Sequence, residues 1–203
     1  MSKYRGPKLR IVRRIGKLPG LTQKIPKKTN PPGQHGLAYN KKQSQYEIRL
    51  KEKQKLRFHY GIGERQLLSY IKKSKKMKGS SGKTLLTLLE MRLDNIIYRL
   101  GFSKTIVSAK QLISHGHVMI NKKMINIPSY LCKPQNIITI KNSAKSKNII
   151  TKNLETSENN IIPEHLSINK EKLEGKINNL VNRNSISLLI NELLVVEYYS
   201  RKL

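Results

Sequence analysis

The longest regular pattern of apolar positions lies in the middle of the chain, between residues 85 and 100. Apolar residues recur there at intervals of three and four, which is the spacing of one face of an α-helix. The pattern lasts about four turns and ends at Gly101, a residue type that commonly closes a helix. We therefore predict one helix, or two placed end to end. The buried residues of this pattern would be Leu85, Leu88, Leu89, Leu93, Ile96, Ile97 and Leu100.

After Gly101 the apolar pattern continues through one more helix and then changes its period. The segment SKTIVSAKQLISHG keeps the helical spacing, with Ser103 or Thr105 as a cap at its start and Gly116 at its end. HVMIN and MINIPSY then alternate and predict a β-hairpin, and NIITI predicts a further strand. Helix, helix, hairpin and strand within about fifty residues indicate one compact module.

The segments on either side of this module are mainly helical. Residues 41–60 contain no Gly or Pro and many good helix formers, and residues 64–77 have a short apolar stripe, so we predict a helix in each. Gly and Pro punctuate the first forty residues, which predicts an arm with tight turns that orders on binding. The C-terminal run SLLINELLVVEYYSRKL predicts a helix that packs on the N-terminal helices. Its apolar residues at helical spacing are Ile190, Leu193, Leu194 and Tyr198.

Charge narrows the classes of partner. The 203 residues carry 41 Lys and Arg against 12 Asp and Glu, a net charge of +29. Residues 1–46 hold twelve cations and residues 95–154 hold ten, and neither stretch contains an acid. Residues 155–203 hold six cations and seven acids. This distribution predicts a broad cationic surface for a polyphosphate, with a C-terminal part that faces something else.

Several classes of protein are disfavoured. No apolar run approaches about 18 residues, so we expect no membrane-spanning segment, and the N-terminus lacks the apolar core of a secretory signal. Cys132 is the single cysteine, which precludes an internal disulfide or a cysteine metal cluster and fits a reducing compartment. His115 and His117 are two residues apart, but no third ligand of a suitable type is near them.

The chain contains a single aspartate, Asp94, in the stretch EMRLDNIIYRLG. It lies close to Arg92 and beside a helix face that carries Arg92, Asn95 and Arg99. A carboxylate there can cap a helix start or pair with a cation, and so hold the basic face in place. We assign Asp94 a structural role, against the alternative of a catalytic base.

Several long stretches resemble one known family. LLEMRLDNIIYRLGF and AKQLISHGHVMINKKMINIPSY resemble the S4 RNA-binding domain. YRGPKLRIVRRIGKLPGLT, PPGQHG, RLKEKQKLRFHYGIGERQL and INELLVVEYYSR resemble the rest of the small-subunit ribosomal protein S4 family, most of all its chloroplast form. The resemblance implies an α+β fold, with a mainly helical domain built from both chain ends and an inserted helix–helix–hairpin–strand S4 domain. The implied parts are an N-terminal arm and helical domain (1–91), the S4 domain with a small antiparallel sheet (92–180) and a C-terminal segment that packs back (181–203).

The same resemblance implies a function. The family is a structural, non-enzymatic component of the small ribosomal subunit: it binds ribosomal RNA early in assembly, helps to form the messenger RNA entrance, touches neighbouring ribosomal proteins and influences decoding accuracy. We therefore expect these partners, no cofactor, no metal, no membrane and no small-molecule substrate, and a location in the chloroplast stroma rather than the bacterial cytoplasm. The alternatives are a pseudouridine synthase, because MRLDN mimics its catalytic motif, and a nonspecific polyanion condenser. The long apolar stripes oppose the condenser.

Pattern and resemblance together suggest which residues contact RNA. Arg49, Lys53 and Arg57 would form one stripe at i, i+4 and i+8 of a helix, and the turn PPGQHG could bring backbone NH groups to a phosphate. Two departures from the family concern local structure: no cysteine precedes Cys132, so a zinc knuckle is absent, and Asn121-Lys122 replaces the usual Asn-Gly, which favours a different loop. The expected RNA-binding residues are Lys3, Tyr4, Arg5, Arg10, Arg13, Arg14, Gln34, His35, Gly36, Lys42, Arg49, Lys53, Arg57, Tyr60, Arg65, Lys83, Arg92, Arg99, Lys104, Lys110, Gln111, His115 and His117.

Overall fold

The computed structural model describes residues 4–36, 42–156 and 162–200. Within these residues the chain forms eight α-helices, five strands and one short 3-10 turn at Arg183–Ser185. The helices are α1 (Lys8–Ile15), α2 (Gln45–His59), α3 (Glu64–Lys76), α4 (Ser81–Glu90), α5 (Leu93–Arg99), α6 (Ile106–Ser114), α7 (Ala144–Thr156) and α8 (Glu192–Ser200). The strands are β1 (Val118–Ile120), β2 (Lys123–Met124), β3 (Ile137–Ile140), β4 (Leu166–Asn169) and β5 (Glu174–Ile177).

The chain divides into two compact units. The terminal unit comprises Met1–Leu85 and Leu188–Leu203, and the inserted unit comprises Leu86–Ser187. This arrangement is the predicted α+β class, with a helical domain formed by both chain ends and an inserted module of helices and antiparallel strands. The three domain ranges given above stay a prediction.

Helices α2 and α8 form the centre of the terminal unit. Leu56 of α2 is fully buried, and Val195, Tyr198 and Tyr199 of α8 are buried as well. Ser44 accepts a hydrogen bond from the Glu47 amide and so caps the start of α2. The C-terminal run therefore folds back on an N-terminal helix, as its apolar content predicted.

Helices α5 and α6 pack against each other in the inserted unit. Leu93, Ile96 and Ile97 of α5 are fully buried, as are Ile106, Ala109 and Ile113 of α6, so the predicted stripes form the core. The long stripe is two helices, because Arg92 adopts an extended conformation and pairs with Leu131 as an isolated bridge. Thr105, rather than Ser103, caps α6 by accepting a hydrogen bond from the Ser108 amide.

The five strands are antiparallel in the order β2-β1-β3-β5-β4. Val118, Ile138 and Ile177 of the sheet are fully buried. A Cβ built at Gly175 of β5 would lie 2.4 Å from a methyl carbon of Leu100, so this position accepts only glycine without a shift of the core.

The structure corrects several expectations about local structure. The hairpin loop consists of Asn121 and Lys122, with φ values of 48° and 67°, so the positive-φ conformation of a two-residue type I′ turn persists without glycine. Leu193 is 60% exposed, although its spacing suggested burial. The arm, predicted to have tight turns and to order on binding, also contains helix α1. Helix α7 and strands β4 and β5 were not predicted.

Candidate nucleic-acid interface

A groove of about 520 Å³ runs between α1 and α2 in the terminal unit. Arg10 and Arg14 contribute from successive turns of α1, and Arg57 contributes from the last turn of α2. Tyr4, which precedes α1, lines the same groove. The structure therefore brings together four predicted RNA-contact residues from positions 4 to 57.

Two aromatic rings form one end of the groove. Tyr4 and Phe58 meet edge to face, with ring centroids 5.6 Å apart. The ring of Tyr4 lies over Gly6, because a Cβ built there would be only 2.6 Å from the Tyr4 hydroxyl oxygen. The guanidinium of Arg57 lies 5.2 Å from the centroid of the Phe58 ring, which is within cation–π range.

The PPGQHG turn borders a smaller cleft beside this groove. Arg13 holds the turn in place: its Nε donates to the Asn30 carbonyl at 2.8 Å and its Nη2 donates to the Pro31 carbonyl at 3.3 Å. Gly33 has a φ of 115°, and a Cβ at Gly36 would meet the Pro31 oxygen at 2.1 Å. The cleft, about 210 Å³ in volume, is lined by Arg14, Pro31, Pro32, Gly33, Gln34, His35, Gly36 and Lys51.

The predicted cationic stripe of α2 is used inside the protein. Arg49 Nε lies 2.8 Å from Glu197 Oε2, and Lys53 Nζ lies 3.0 Å from Glu64 Oε1. Lys53 is only 5% exposed and also sits over the ring of Tyr198. Arg49 and Lys53 therefore fasten α2 to its neighbours, and of this stripe only Arg57 lines the groove. We remove Arg49 and Lys53 from the proposed RNA surface.

The Glu64 carboxylate joins this internal network. Burial raises the pKa of Glu64, but the hydrogen bond donated by the Tyr199 hydroxyl and the ion pair with Lys53 outweigh burial and leave the pKa below its ordinary value. Burial and the same hydrogen bond raise the pKa of Tyr199. Tyr199 thus stays protonated and donates to an ionised Glu64 at neutral pH.

Asp94, predicted to have a structural role, lies in a network of hydrogen bonds inside the fold. Its two carboxylate oxygens accept hydrogen bonds from Arg92 at 3.1 and 2.8 Å, and Oδ1 also accepts from the Asn95 amide at 2.9 Å. Lys110 Nζ lies 3.5 Å from Oδ2. Both Asp94 and Arg92 are buried, so Arg92 cannot reach RNA in this conformation and is also removed from the surface.

Two further candidates are engaged within the fold. Arg99 donates to both carboxylate oxygens of the buried Glu90, at 2.9 and 3.2 Å, and to Ser187 Oγ at 2.7 Å. Tyr60 is 1% exposed and packs edge to face against His59. We assign Arg99 and Tyr60 to the structure of the protein rather than to its interface.

Several predicted contact residues lie in α6 or just beside it. Lys104 and Gln111 are exposed, Lys110 is half-buried, and His115 follows the helix in an exposed position. His117 lies 6.1 Å from His115 between ring centroids, and its Nδ1 is 2.9 Å from Ser146 Oγ. These residues belong to the stretch 95–154, which contains no Asp or Glu. A stretch without carboxylates suits contact with a phosphate backbone.

The remaining predicted residues are distributed over the surface. Arg5, Lys42, Arg65 and Lys83 are exposed. Lys3 lies outside the described residues. Among the residues that the structure describes, no group of three or more His, Cys, Asp or Glu side chains is arranged to hold a metal, and no helix has the length and apolar character to cross a membrane.

Of the twelve residues that line the groove, eight were not predicted as RNA contacts. Phe58, Lys51 and Pro32 all line it, yet only the folded chain brings them to Tyr4. A signal was present for Phe58, which is an aromatic residue beside Arg57 in a helix of mostly polar residues. Tyr60, two residues further along the chain, was predicted as an RNA contact instead, because tyrosine rings also stack on bases.

A basic surface on a helical domain with an inserted helix–sheet module is typical of nucleic-acid-binding proteins. Residues 3–90 match the ribosomal protein S4/S9 N-terminal domain, and residues 91–138 match the S4 domain. The small ribosomal subunit protein uS4c of Euglena gracilis is 62% identical over 204 residues, and that of Tupiella akineta is 57% identical over 204 residues. The small ribosomal subunit protein uS4 of Thermosynechococcus vestitus is 52% identical over 202 residues. These alignments cover 99 to 100% of this chain and all of each relative.

The chain belongs to the uS4 family of ribosomal proteins. This confirms the resemblance seen in the sequence. The family consists of structural proteins and not enzymes, so the pseudouridine synthase alternative is not supported.

Proposed function

We propose that this protein is a structural component of the small ribosomal subunit that binds ribosomal RNA during assembly. Three relatives that align with the chain over their whole length are named small ribosomal subunit proteins. The single observation that carries the proposal is the α1–α2 groove, where Arg10, Arg14 and Arg57 surround an aromatic pair. Cations neutralise phosphates and aromatic faces stack on unpaired bases, so this combination suits folded RNA.

The finer parts of the proposal concern location and neighbours. We infer a chloroplast ribosome, because several relatives carry the name uS4c. We also propose contacts with neighbouring ribosomal proteins and with messenger RNA at its entrance, and through them an influence on decoding accuracy. The C-terminal stretch from residue 155, with six cations and seven acids, suits a protein neighbour better than a phosphate backbone.

A salt titration tests the RNA-binding surface. Affinity for small-subunit ribosomal RNA should fall steeply with salt, because each neutralised phosphate adds about −0.7 to −0.9 to the slope of log K against log salt. The variant Arg10→Gln/Arg14→Gln/Lys104→Gln removes three exposed cations, and its slope should be shallower by about two to three.

The matched control is Lys170→Gln/Lys172→Gln/Lys176→Gln, which removes three exposed cations from the β4–β5 hairpin. Its slope should equal that of the unchanged protein. Equal slopes for the triple variant and the unchanged protein would locate the RNA on another face. Absence of binding at any salt concentration would overturn the proposed function itself.

A further inference from the structure

The α1–α2 groove contains more than a phosphate-binding surface requires. A phosphate backbone needs cations, which Arg10 and Arg14 supply on the α1 side. It does not need Tyr4 and Phe58, two rings that meet edge to face in the same groove. Tyr4 is 47% exposed, so part of an aromatic surface stays open beside the cations.

The ring of Tyr4 is held in place rather than hanging free. It covers Gly6, where a Cβ would come within 2.7 Å of the ring carbon Cζ, and its hydroxyl lies 3.4 Å from the Pro7 carbonyl oxygen, to which it donates. Phe58 is oriented by α2 and covered on one side by the Arg57 guanidinium. A platform fixed before binding loses little conformational entropy when a planar ligand stacks on it.

Polar groups lie at the side of the groove. Gln54 offers an amide, and Glu47 is a carboxylate whose charge is offset by Lys51, with Nζ and Oε1 3.2 Å apart. Amide and carboxylate side chains are the groups that read the edge of a nucleobase. A volume of about 520 Å³ lies within the range of small-ligand sites.

We propose that the α1–α2 groove binds one unpaired nucleotide of the RNA, with its base against Tyr4 and Phe58 and its flanking phosphates against Arg10 and Arg14. This proposal rests on the proposed RNA-binding function and adds to it a base-dependent site. An acidic peptide would use the same arginines, but it would gain nothing from an open aromatic platform, so the rings favour a nucleotide.

The test compares two single-stranded probes with equal charge. One is a hexamer of adenylate, and the other is an abasic hexamer with the same number of phosphates. Full-length protein should bind the adenylate hexamer about fivefold to a hundredfold more tightly, which is the range for stacking of one base. The salt slopes for the two probes should match, because their phosphates match.

Variants assign this preference to the groove. Two separate variants, Tyr4→Leu and Gly6→Ala, should each reduce the ratio of the affinities for the two probes to about one. Gly6→Ala displaces the Tyr4 ring, while the backbone at residue 6 tolerates alanine. Tyr4→Phe keeps the aromatic face and should keep the ratio. Tyr130→Leu, at an exposed tyrosine in the inserted unit, is the control for loss of a tyrosine. Thermal unfolding of each variant verifies that the terminal unit is folded.

The outcomes separate this proposal from the function on which it rests. A ratio near one in the unchanged protein, or a ratio that survives both Tyr4→Leu and Gly6→Ala, would overturn the nucleotide site while leaving binding to ribosomal RNA intact. Displacement of the adenylate hexamer by an acidic peptide at equal charge and equal concentration would assign the groove to a protein partner instead. Failure of both probes and of ribosomal RNA to bind would overturn the proposed function.

Discussion

Arg92 and Asp94 form a two-point ion pair in the interior of the inserted unit, with hydrogen bonds of 3.1 and 2.8 Å and side chains that are 2% and 1% exposed. Arg92 lies between α4 and α5 and pairs through its backbone with Leu131, while the amide of Asp94 donates to the Pro128 carbonyl. The pair therefore holds the junction of two helices against the segment that follows the hairpin. Neither side chain is available to RNA or to a substrate.

Replacing Asp94 by asparagine should destabilise the inserted unit strongly. The substitution leaves the Arg92 charge buried without its carboxylate, and breaking one side of a buried pair costs about 3–5 kcal/mol. Urea unfolding followed by circular dichroism measures this loss. Glu171→Gln, at an exposed position in the β4–β5 loop, is the control and should change the free energy of unfolding by less than about 0.5 kcal/mol. A loss below about 1 kcal/mol for Asp94→Asn would contradict the structural role.

Lys122→Gly should stabilise the protein. Lys122 has a φ of 67° in the hairpin loop, where a side chain is strained by about 1–2 kcal/mol and glycine is not. Glycine loses about 0.5–1 kcal/mol more conformational entropy on folding, so we expect a net gain of roughly 0.5 kcal/mol. Lys123→Gly, at a strand position beside the loop, should lower stability instead. A lower melting temperature for Lys122→Gly would mean that the turn is not of type I′.

The parts of the fold that sequence predicted are those that a local pattern encodes. Helices α3 to α6 have apolar stripes, so their buried faces could be read from spacing alone. Helix α1 has only eight residues between Pro7 and Gly16, and most of them are cationic or line the groove. So short a helix does not show a recognisable helical period of apolar residues in the sequence. Strand β5 reads EGKI, whose glycine is required by the distant Leu100, and no local rule reveals such a requirement.

The candidate site, like the fold, could be predicted only in part from the sequence. Tyr4, Arg10 and Arg14 were predicted to contact RNA; all three are exposed and line the α1–α2 groove, and their contact with RNA stays a prediction. Sequence could not foresee that Lys53 is buried, since its partners Glu64 and Tyr198 are distant in sequence. Nor could it pair Tyr4 with Phe58, which meet only after α1 packs beside α2.

Cys132 should react slowly with thiol reagents in the folded protein. Burial, together with the negative charge of Asp94, raises the pKa of its thiol to about 12, whereas the ordinary value is about 8.5. Because the thiolate is the reacting form, modification by an aromatic disulfide near pH 8 should be at least tenfold slower than in urea, where one thiol per chain reacts. Asp94→Asn should speed the native reaction. Equal rates in the folded and unfolded protein would show that Cys132 is accessible.

The contribution of Glu64 to stability should depend on pH in a defined direction. Its folded pKa lies below its ordinary value, so the stabilisation is fully present above the unfolded pKa of about 4.3 and is lost as pH falls through the folded pKa. The difference in melting temperature between the unchanged protein and Glu64→Gln should be constant from about pH 6 to 8 and should vanish in acid. The Glu171→Gln control should show no such dependence. A difference that grows in acid would reverse the sign and refute the assignment.

Truncation after Ser187 should unfold the terminal unit while the inserted unit stays folded. The deletion removes α8, with the buried Val195, Tyr198 and Tyr199, and the carboxylate partner of Arg49. Each buried apolar side chain contributes about 1.5–3 kcal/mol on full burial, so the sum is comparable to the stability of a whole domain. Hydrogen exchange should therefore show loss of protection in α2 and α3, with protection retained in α5, α6 and the sheet.

A pair of point variants in α8 separates loss of packing from loss of chain length. Val195→Ala removes part of a fully buried side chain and should cost about 2 kcal/mol, whereas Leu193→Ala, at a position 60% exposed, should cost less than about 0.5 kcal/mol. Sedimentation of tagged protein in sucrose gradients then tests assembly. The truncated chain should be absent from small ribosomal subunits, and Leu193→Ala should enter them. Normal protection of residues 45–76 in the truncated chain, together with normal incorporation, would show that α8 does not hold the terminal unit together.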